Sequence, residues 1–324
     1  MSVLSRPYFY DEAAAFEHVE AILWPQGPVC PACGNMGKHY KLTGVRTKPS
    51  KKNPEGIERH GLYKCAECRK QFTVRMGTIF EESHLPLHKW LQAVHLMCSS
   101  KKGISAHQLH RVLEVTYKTA WFLAHRIREA MRSGELSPMG AKGKFVEADT
   151  TYIGGKEKSK HVGKRNPKAI GGVGKQIVHT LVERGGSVRS HHVADVSGKT
   201  LGPLLFNNVD RKSALMTDTG GGYYRVGKAF ARHEMVDHSK DEYVRGDAYS
   251  NTVENYFSIL KRGVTGVYQN ISKHHLHRYL AEFDFRYTNR AARGIDDNAR
   301  AFLALSGVRG RRLTYRVSPG VSGA

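Results

Sequence analysis

Apolar residues recur along this chain with two periods, and the switch between them divides it. Between residues 86 and 132 the period is helical. Pro86 opens a stripe of Leu87, Trp90, Leu91, Val94, Met97 and Cys98, and Gly103 breaks it. Ser105, with Gln108 three residues on, has the pattern of a capping box for a short helix over about 106–113. A third helix, over about 117–132, carries Trp121, Phe122, Ala124, Ile127, Ala130 and Met131. Three helices with a tight break between the last two outline a helix-turn-helix region over 81–135, with a plain three-helix connector as the alternative. Residues 133–143, with Gly134, Pro138, Gly140 and Gly143, read as a linker.

Beyond the linker, strand-like runs alternate with helical ones. Strands are predicted over 145–149 and 213–218, each ending in an aspartate, and over 176–183 and 187–197, joined as a hairpin across Arg184-Gly185-Gly186. Helices are predicted over 200–208 and 223–231, a short strand over 233–237, and a helical tail over 274–287. A hairpin followed by alternating helices and strands predicts an α/β fold with a ribonuclease-H-like mixed sheet over 144–305, followed by a basic tail over 306–324.

The stretch 251–262 is a helix with two stripes. Val253, Tyr256, Phe257 and Leu260 make an apolar face, while Asn251, Glu254, Ser258 and Lys261 follow the same steps as a polar one. Between Asp218 and Glu254 lie 35 residues. Asp149 and Asp218 at strand ends, followed by a helix-borne Glu254, form an acidic triad suited to two divalent cations, Mg²⁺ or Mn²⁺. Asp149 is expected to bridge both ions, with Asp218 and Glu254 each holding one and Lys261 meeting a DNA phosphate. Taken singly, each aspartate could equally be a strand cap or a surface charge. Glu147 alternates with Asp149 and so shares its side of the strand. Asp195, Asp210, Asp237 and Asp247 read as loop or surface residues.

Four of the five cysteines form two C-x-x-C pairs, Cys30 with Cys33 and Cys65 with Cys68, 31 residues apart. Two such knuckles complete a closed tetrahedral site for one structural Zn²⁺, with redox pairs or disulfides as the alternatives. This gives a zinc ribbon with an N-terminal helix over 1–80, whose spacer carries a basic loop at 46–54. Cys98, on an apolar helix face, reads as a core thiol.

Lys and Arg outnumber Asp and Glu by 51 to 29, a net charge of +22 spread along the chain. That balance favours double-stranded DNA as partner through phosphate contacts, against a ribosome-associated or membrane-surface protein. Lys118, Arg126 and Arg128 on the third helix, Lys164 and Arg165 in a basic loop at 154–175, and Arg262 are the expected DNA-binding positions. The loop lacks the Ser or Thr and the spacing of a phosphate-cradling P-loop. His274, His275 and His277 have no closed metal spacing. No window is apolar enough for a membrane span and no signal pattern opens the chain, so a cytoplasmic protein that keeps its thiols reduced is expected.

These pieces together resemble the DDE transposases of bacterial insertion sequences, in the zinc-ribbon (ISXO2-like) group related to the Merlin elements. The resemblance rests on Glu147-Ala148-Asp149-Thr150-Thr151-Tyr152-Ile153-Gly154-Gly155, on Thr217-Asp218, and on Asn251-Thr252-Val253-Glu254 running to Lys261-Arg262-Gly263. His275-Leu276-His277-Arg278-Tyr279-Leu280-Ala281-Glu282-Phe283 and Phe285-Arg286-Tyr287 extend it, so that it spans about 12–305. It implies binding of element ends, two-metal cleavage and strand transfer, and a homo-oligomer working on DNA. Some members of the group carry asparagine where others have the third acid, which sets Asn251 beside Glu254 as a candidate. A non-catalytic ribbon and helix-turn-helix regulator, or a ribonuclease-H-like nuclease, are the alternatives.

Overall fold

Local capping starts most of the helices, and at two of the others a distant carboxylate takes over. The computed structural model describes residues 2–51, 53–134, 137–155, 157–166, 172–236 and 244–314. Its contacts divide the chain into two units, Met1–Ser100 with Ser105–Met131 and Asp296–Ala324, and Lys101–Ile104 with Arg132–Ile295. Asp237, residues 156 and 167–171 of the basic loop, and residues 315–324 of the basic tail lie outside the described residues.

In the first unit, Asp11 accepts the Ala14 N–H at 2.7 Å and starts α1 (Glu12–Leu23). Ala15, Phe16, Val19 and Leu23 make its buried face. The ribbon is a three-stranded antiparallel sheet of β1 (His39–Leu42), β2 (Leu62–Cys65) and β3 (Gln71–Phe72), in that order. Trp24, Tyr63 and Phe72 pack its small core, and the Tyr63 hydroxyl donates to Glu20 of α1 at 2.8 Å. α2 (Leu87–Ser99) begins at Pro86, which has no capping side chain. The Glu12 carboxylate accepts the Leu87 and His88 N–H groups at 2.7 and 3.0 Å instead.

α3 (Ala106–Leu113) and α4 (Tyr117–Ala130) are capped by Ser105 and Thr116, and Glu114 turns the chain between them in the left-handed region, φ 52°. No glycine occupies that turn, so a non-glycine residue carries its strain. The unit is completed by α9 (Asp297–Ser306), which packs on α2 and whose Arg300 donates to the Cys98 carbonyl at 2.7 Å. The sequence boundary ran the sheet domain to 305, whereas the contacts end the second unit at Ile295.

The second unit is a five-stranded sheet built from β4 (Phe145–Ile153), β5 (Gln176–Glu183), β6 (Val188–Val193), α5 (Gly198–Asn208), β7 (Ala214–Asp218), α6 (Tyr224–Gly227), β8 (Arg232–Val236), α7 (Asn251–Gly263) and α8 (Leu276–Thr288). Its order is β6-β5-β4-β7-β8; the first three strands pair antiparallel and β4, β7 and β8 pair parallel. This is the expected ribonuclease-H-like mixed sheet. On one face Val178, Val182 and Val188 meet Val253, Tyr256 and Leu260 of α7 and Leu280 and Phe283 of α8. On the other, Val146, Ala148, Leu181 and Leu215 meet Leu201 and Leu205 of α5.

Edge strand β6 is not left open. Thr288 Oγ1 accepts the Val188 N–H at 3.1 Å and Asp284 the Ser190 N–H at 2.8 Å. Four residues of helix rise about 6 Å and two of strand about 6.6 Å, so the two repeats stay in step. Three expected elements differ: β4 continues past Asp149 to Ile153, the strand expected over 187–197 is β6 and ends at Val193, and the helix expected over 223–231 is the four-residue α6. Among the described residues no helix is long and apolar enough to cross a membrane.

Buried imidazoles make this unit acid-sensitive. Burial, and then the charge of His191, push His179 down to about 3. Burial also lowers His191, His192 and His233. An unfolded chain takes up these protons near pH 6.5 while the folded one refuses them, so the stability is fully present above 6.5 and declines below it. His179 alone removes about 2 kcal/mol by pH 5. Asp284, raised to about 6 by burial, works the other way over part of that range. The unfolding midpoint measured by calorimetry should fall between pH 7 and pH 5; a flat or rising midpoint overturns this account.

Candidate functional site

The site is organised by a carboxylate that takes no part in the acidic triad. Glu147 is fully buried on β4. It accepts the Thr252 N–H at 2.8 Å, the Val253 N–H at 3.0 Å and the Thr252 hydroxyl at 2.9 Å. Ser250, the residue before α7, makes no capping bond to the helix backbone, so Glu147 supplies the cap and meets the positive end of the helix dipole. Arg184 neutralises it at 2.6 Å and donates to the carbonyls of Asp247 and Tyr249, while its guanidinium lies 3.4 Å over the Tyr249 ring. The start of α7 is thereby fixed to the strand carrying Asp149, two residues from it.

Pairing register then sets the aspartates. β4 and β7 run parallel with Ala148 opposite Thr217, the last pair of that ladder. Asp149 and Asp218 follow it on the α7 side of the sheet, one interstrand spacing of about 4.8 Å apart. Both are half-buried. Asp149 Oδ1 accepts the Thr150 N–H at 2.6 Å and Asp218 Oδ1 the Gly220 N–H at 3.1 Å, turning each carboxylate back on its own chain. Behind them lies Tyr223, whose hydroxyl bonds Thr150 and His179 at 3.2 Å. Burial raises this phenol well above its ordinary value, and the charges of both Asp149 and Asp218 add to the rise.

Glu254 is exposed on the first turn of α7, and the Ser250 hydroxyl donates to it at 3.0 Å. Asn251, one helical step back, is also exposed. Lys261 is exposed two turns on, its ammonium 6.0 Å from the Phe257 ring centre. Three acids of this kind, open to solvent, have the donor chemistry for hard divalent cations. Among the described residues, though, only the four cysteines bring three or more ligand atoms within 4.8 Å of one another. The acids form no such closed group. Ions about 3.5–4 Å apart need a wider ligand set than a single ion does.

The cysteine cluster fits its metal closely. Cys30 and Cys68 sulfurs are 3.6 Å apart and Cys33 and Cys65 3.7 Å, against roughly 3.8 Å for two thiolates at tetrahedral corners about 2.3 Å from zinc. Gly34, with φ +75°, makes the first knuckle turn, and Arg69, with φ 59°, the second. Against burial, the Asn35 amide and the backbone of Cys68 and Glu67 draw the Cys65 thiol down to about 6, while Cys33, against a backbone bond from Asn35, is pushed up to about 12 by burial and the other three thiols. Cys98 is a buried core thiol outside this cluster.

Of the six basic positions read from the sequence, Lys118, Lys164, Arg165 and Arg262 are exposed. Arg126 and Arg128 are not: they are 5% and 2% exposed. Arg126 lies 5.3 Å over Trp90 and 5.7 Å over Phe122 and donates to the Glu81 carbonyl at 2.6 Å. Burial, then the charges of Arg75 and Arg312, push it down to about 10. Both arginines are interior residues and leave the set of DNA-facing candidates. Arg184, Ser250, Thr252 and Tyr223 were not singled out in the sequence. Arg184 read as part of a turn, and nothing local marks it as a partner for a glutamate 37 residues earlier.

Residues 140–288 match the ISXO2-like transposase domain and residues 10–71 the transposase zinc-ribbon domain. An uncharacterized protein in transposable element ISH50 of Halobacterium salinarum is 27% identical over 297 residues, 86% of this chain and 91% of that one. Two solved structures, the Mos1 strand transfer complex and a pre-cleavage Mos1 transpososome, overlap 67% and 66% of this chain and 74% and 73% of theirs. Their identities are 16% and 14% with a TM-score of 0.28 each, too loose to set residues in correspondence.

Two outcomes follow for stability and metal content. Glu147→Ala leaves Arg184 without its buried partner and α7 without its cap, and should cost about 3–5 kcal/mol in urea unfolding. Glu254→Gln, at an exposed position, should stay within about 0.5 kcal/mol of the parent; equal losses from the two overturn the assignment of Glu147 as the anchor. Purified protein should hold one zinc per chain by elemental analysis, and Cys65→Ser should lose it. Full retention of zinc in that variant rules out the four-thiolate site.

Proposed function

We propose that this chain, whose parts match a transposase zinc-ribbon domain and an ISXO2-like transposase domain, is a transposase that cleaves and joins DNA at the Asp149–Asp218–Glu254 site. The observation that carries this reading is the register of β4 and β7, which sets two aspartates side by side on the face covered by α7. Asp149 and Asp218 hold the divalent ions, Mg²⁺ or Mn²⁺, and Glu254 completes the set from the helix. When bound, such ions activate an oxygen nucleophile and stabilise the leaving oxygen.

The chain's own residues do the positioning. The bond from Ser250 orients the Glu254 carboxylate on the first turn of α7. Lys261, on the exposed side of the same helix, meets the phosphate near the scissile bond as a point charge. Lys118, Lys164, Arg165 and Arg262 add exposed positive charge for the duplex. The zinc ribbon and the α3–α4 pair lie in the first unit, where we place recognition of element ends.

Asp149→Asn, Asp218→Asn and Glu254→Gln should each abolish Mg²⁺-dependent cleavage of a duplex carrying the element's ends, while gel-shift binding of that duplex persists. Lys261→Ala should lower the rate less, because a phosphate contact positions DNA without holding cations. Asn251→Ala separates the two candidates for the third ligand. Loss of cleavage in Asn251→Ala with retention in Glu254→Gln moves the role to Asn251; retention in both aspartate variants sinks the site.

A further inference from the structure

Two carboxylates that leave a common ladder need something else to hold their spacing. The β4–β7 pairing ends at Ala148 and Thr217, one residue before Asp149 and Asp218. β4 goes on, paired with β5 as far as Ile153. β7 instead ends at Asp218, and the chain enters the turn Thr219-Gly220-Gly221-Gly222. Three successive glycines give that turn little stiffness of its own.

A circuit of hydrogen bonds bridges the gap. Asp218 Oδ1 accepts the Gly220 N–H at 3.1 Å, and the Gly220 carbonyl accepts the Tyr223 N–H at 3.0 Å. The Tyr223 hydroxyl then bonds the Thr150 hydroxyl at 3.2 Å, and the Thr150 N–H returns to Asp149 Oδ1 at 2.6 Å. The path starts on one carboxylate and finishes on the other. His179, opposite Thr150 on β5, holds the Tyr223 hydroxyl from a second strand at 3.2 Å. A Cβ at Gly220 would lie 2.9 Å from Asp218 Oδ1 and 3.4 Å from the Tyr223 ring, so the glycine lets carboxylate, turn and ring close on one another. That ring belongs to the apolar cluster of Val146, Ala148, Leu201 and Leu215, where packing alone asks for no hydroxyl. A hydroxyl taken into such surroundings is costly unless bonded, and its partners here lie on the two strands that continue past the end of the ladder.

We propose that Tyr223 is a positioning residue for the Asp149–Asp218 pair, its hydroxyl clasping the turn after β7 to β4 just past the end of their ladder. The proposal rests on the function proposed above, since the pair is a cation site only under that reading. Tyr223 lies on the α5 side of the sheet and acts through Thr150 and Gly220, without meeting a cation itself. Without the clasp the turn is free to carry Asp218 away from Asp149. Cation affinity then falls while the fold persists, because the apolar cluster keeps its ring.

The test reads cation affinity rather than cleavage. Mn²⁺ is titrated into the full zinc-loaded chain without DNA, and the free ion is followed by electron paramagnetic resonance at a temperature where circular dichroism shows parent and variants folded. The parent should bind Mn²⁺, and Asp149→Asn should lose it. Tyr223→Phe should bind about three- to tenfold more weakly, the worth of one neutral hydrogen bond. Thr150→Val should lose as much, whereas Thr150→Ser, which keeps the hydroxyl, should match the parent. The double variant Tyr223→Phe with Thr150→Val should bind no more weakly than either single one, because both remove the same bond. If Tyr223→Phe fails to fold, the two Thr150 variants carry the test. Parent-like binding by Tyr223→Phe, with Asp149→Asn inactive in binding, overturns the clasp and leaves the cation site standing. Equal losses from Thr150→Ser and Thr150→Val, or losses that add in the double variant, overturn it too. A parent that binds no Mn²⁺, or binds it regardless of Asp149→Asn, removes the site and the clasp with it.

Discussion

A single buried carboxylate sets the geometry on which the rest of the second unit depends. Glu147 joins the start of α7 to β4 through two backbone N–H groups and one hydroxyl, and Arg184 neutralises it. A charge this deep is tolerable only when its lone pairs and its ion-pair partner are all in place. The arrangement therefore exists in full or not at all, and that gives it positional authority. Slip α7 by one residue and the carboxylate loses its donors. The first unit uses the same device, with Glu12 capping α2 from a helix 75 residues earlier in sequence. In both cases the helix lacks a capping side chain of its own, so its start is fixed by tertiary structure.

The sheet contributes a second constraint, the place where one ladder ends. β4 is longer than β7, so its pairing with β7 stops at Ala148 while its pairing with β5 continues to Ile153. Asp149 sits at that fork. Its strand is held on one side by β5, and on the other its side chain faces the space beyond the end of β7, beside Asp218. An aspartate at a free strand tip would fray; one at a fork keeps a rigid backbone and still reaches solvent. Tyr223, bonded to Thr150 and His179, fills the opposite face directly behind it, and burial keeps that phenol protonated and neutral. The two carboxylates therefore stand side by side on a backbone that cannot yield, as the proposed cation site requires.

Much of this was legible in the sequence, for reasons that particular residues make plain. The strand over 176–183 and the helix beginning at Asn251 were marked by their own apolar periods, and each appears with those limits at its start. The twin C-x-x-C pairs announced the cysteine cluster, because knuckle geometry is local. Long-range effects were hidden. Residues 147 and 252 stand 105 apart, so no window shows that one caps the other. Arg126 and Arg128 fall on helical steps that look polar, yet α4 buries them, and Arg126 gains two aromatic faces in exchange for solvent. The end of the sheet domain was misread because α9 packs on α2, about 200 residues away, and its own amphipathic pattern cannot say against what. The helix expected over 223–231 shrinks to one turn in a stretch that contains three successive glycines just before it.

Stability and the chemistry proposed for this chain fall to different acids, and the separation follows from burial. Glu147, Glu282 and Asp284 lie inside, each with donors around it, and their loss would be felt by the fold. Asp149 and Asp218 are half-buried and Glu254 is exposed; their carboxylates accept from Thr150, Gly220 and Ser250. Glu147 and Asp149, two residues apart on one strand, show the division at its sharpest. One acid spends its oxygens on Arg184 and on the helix that carries Glu254. The other, held in place by that same strand, keeps its oxygens near solvent, where a cation and a phosphate can reach them.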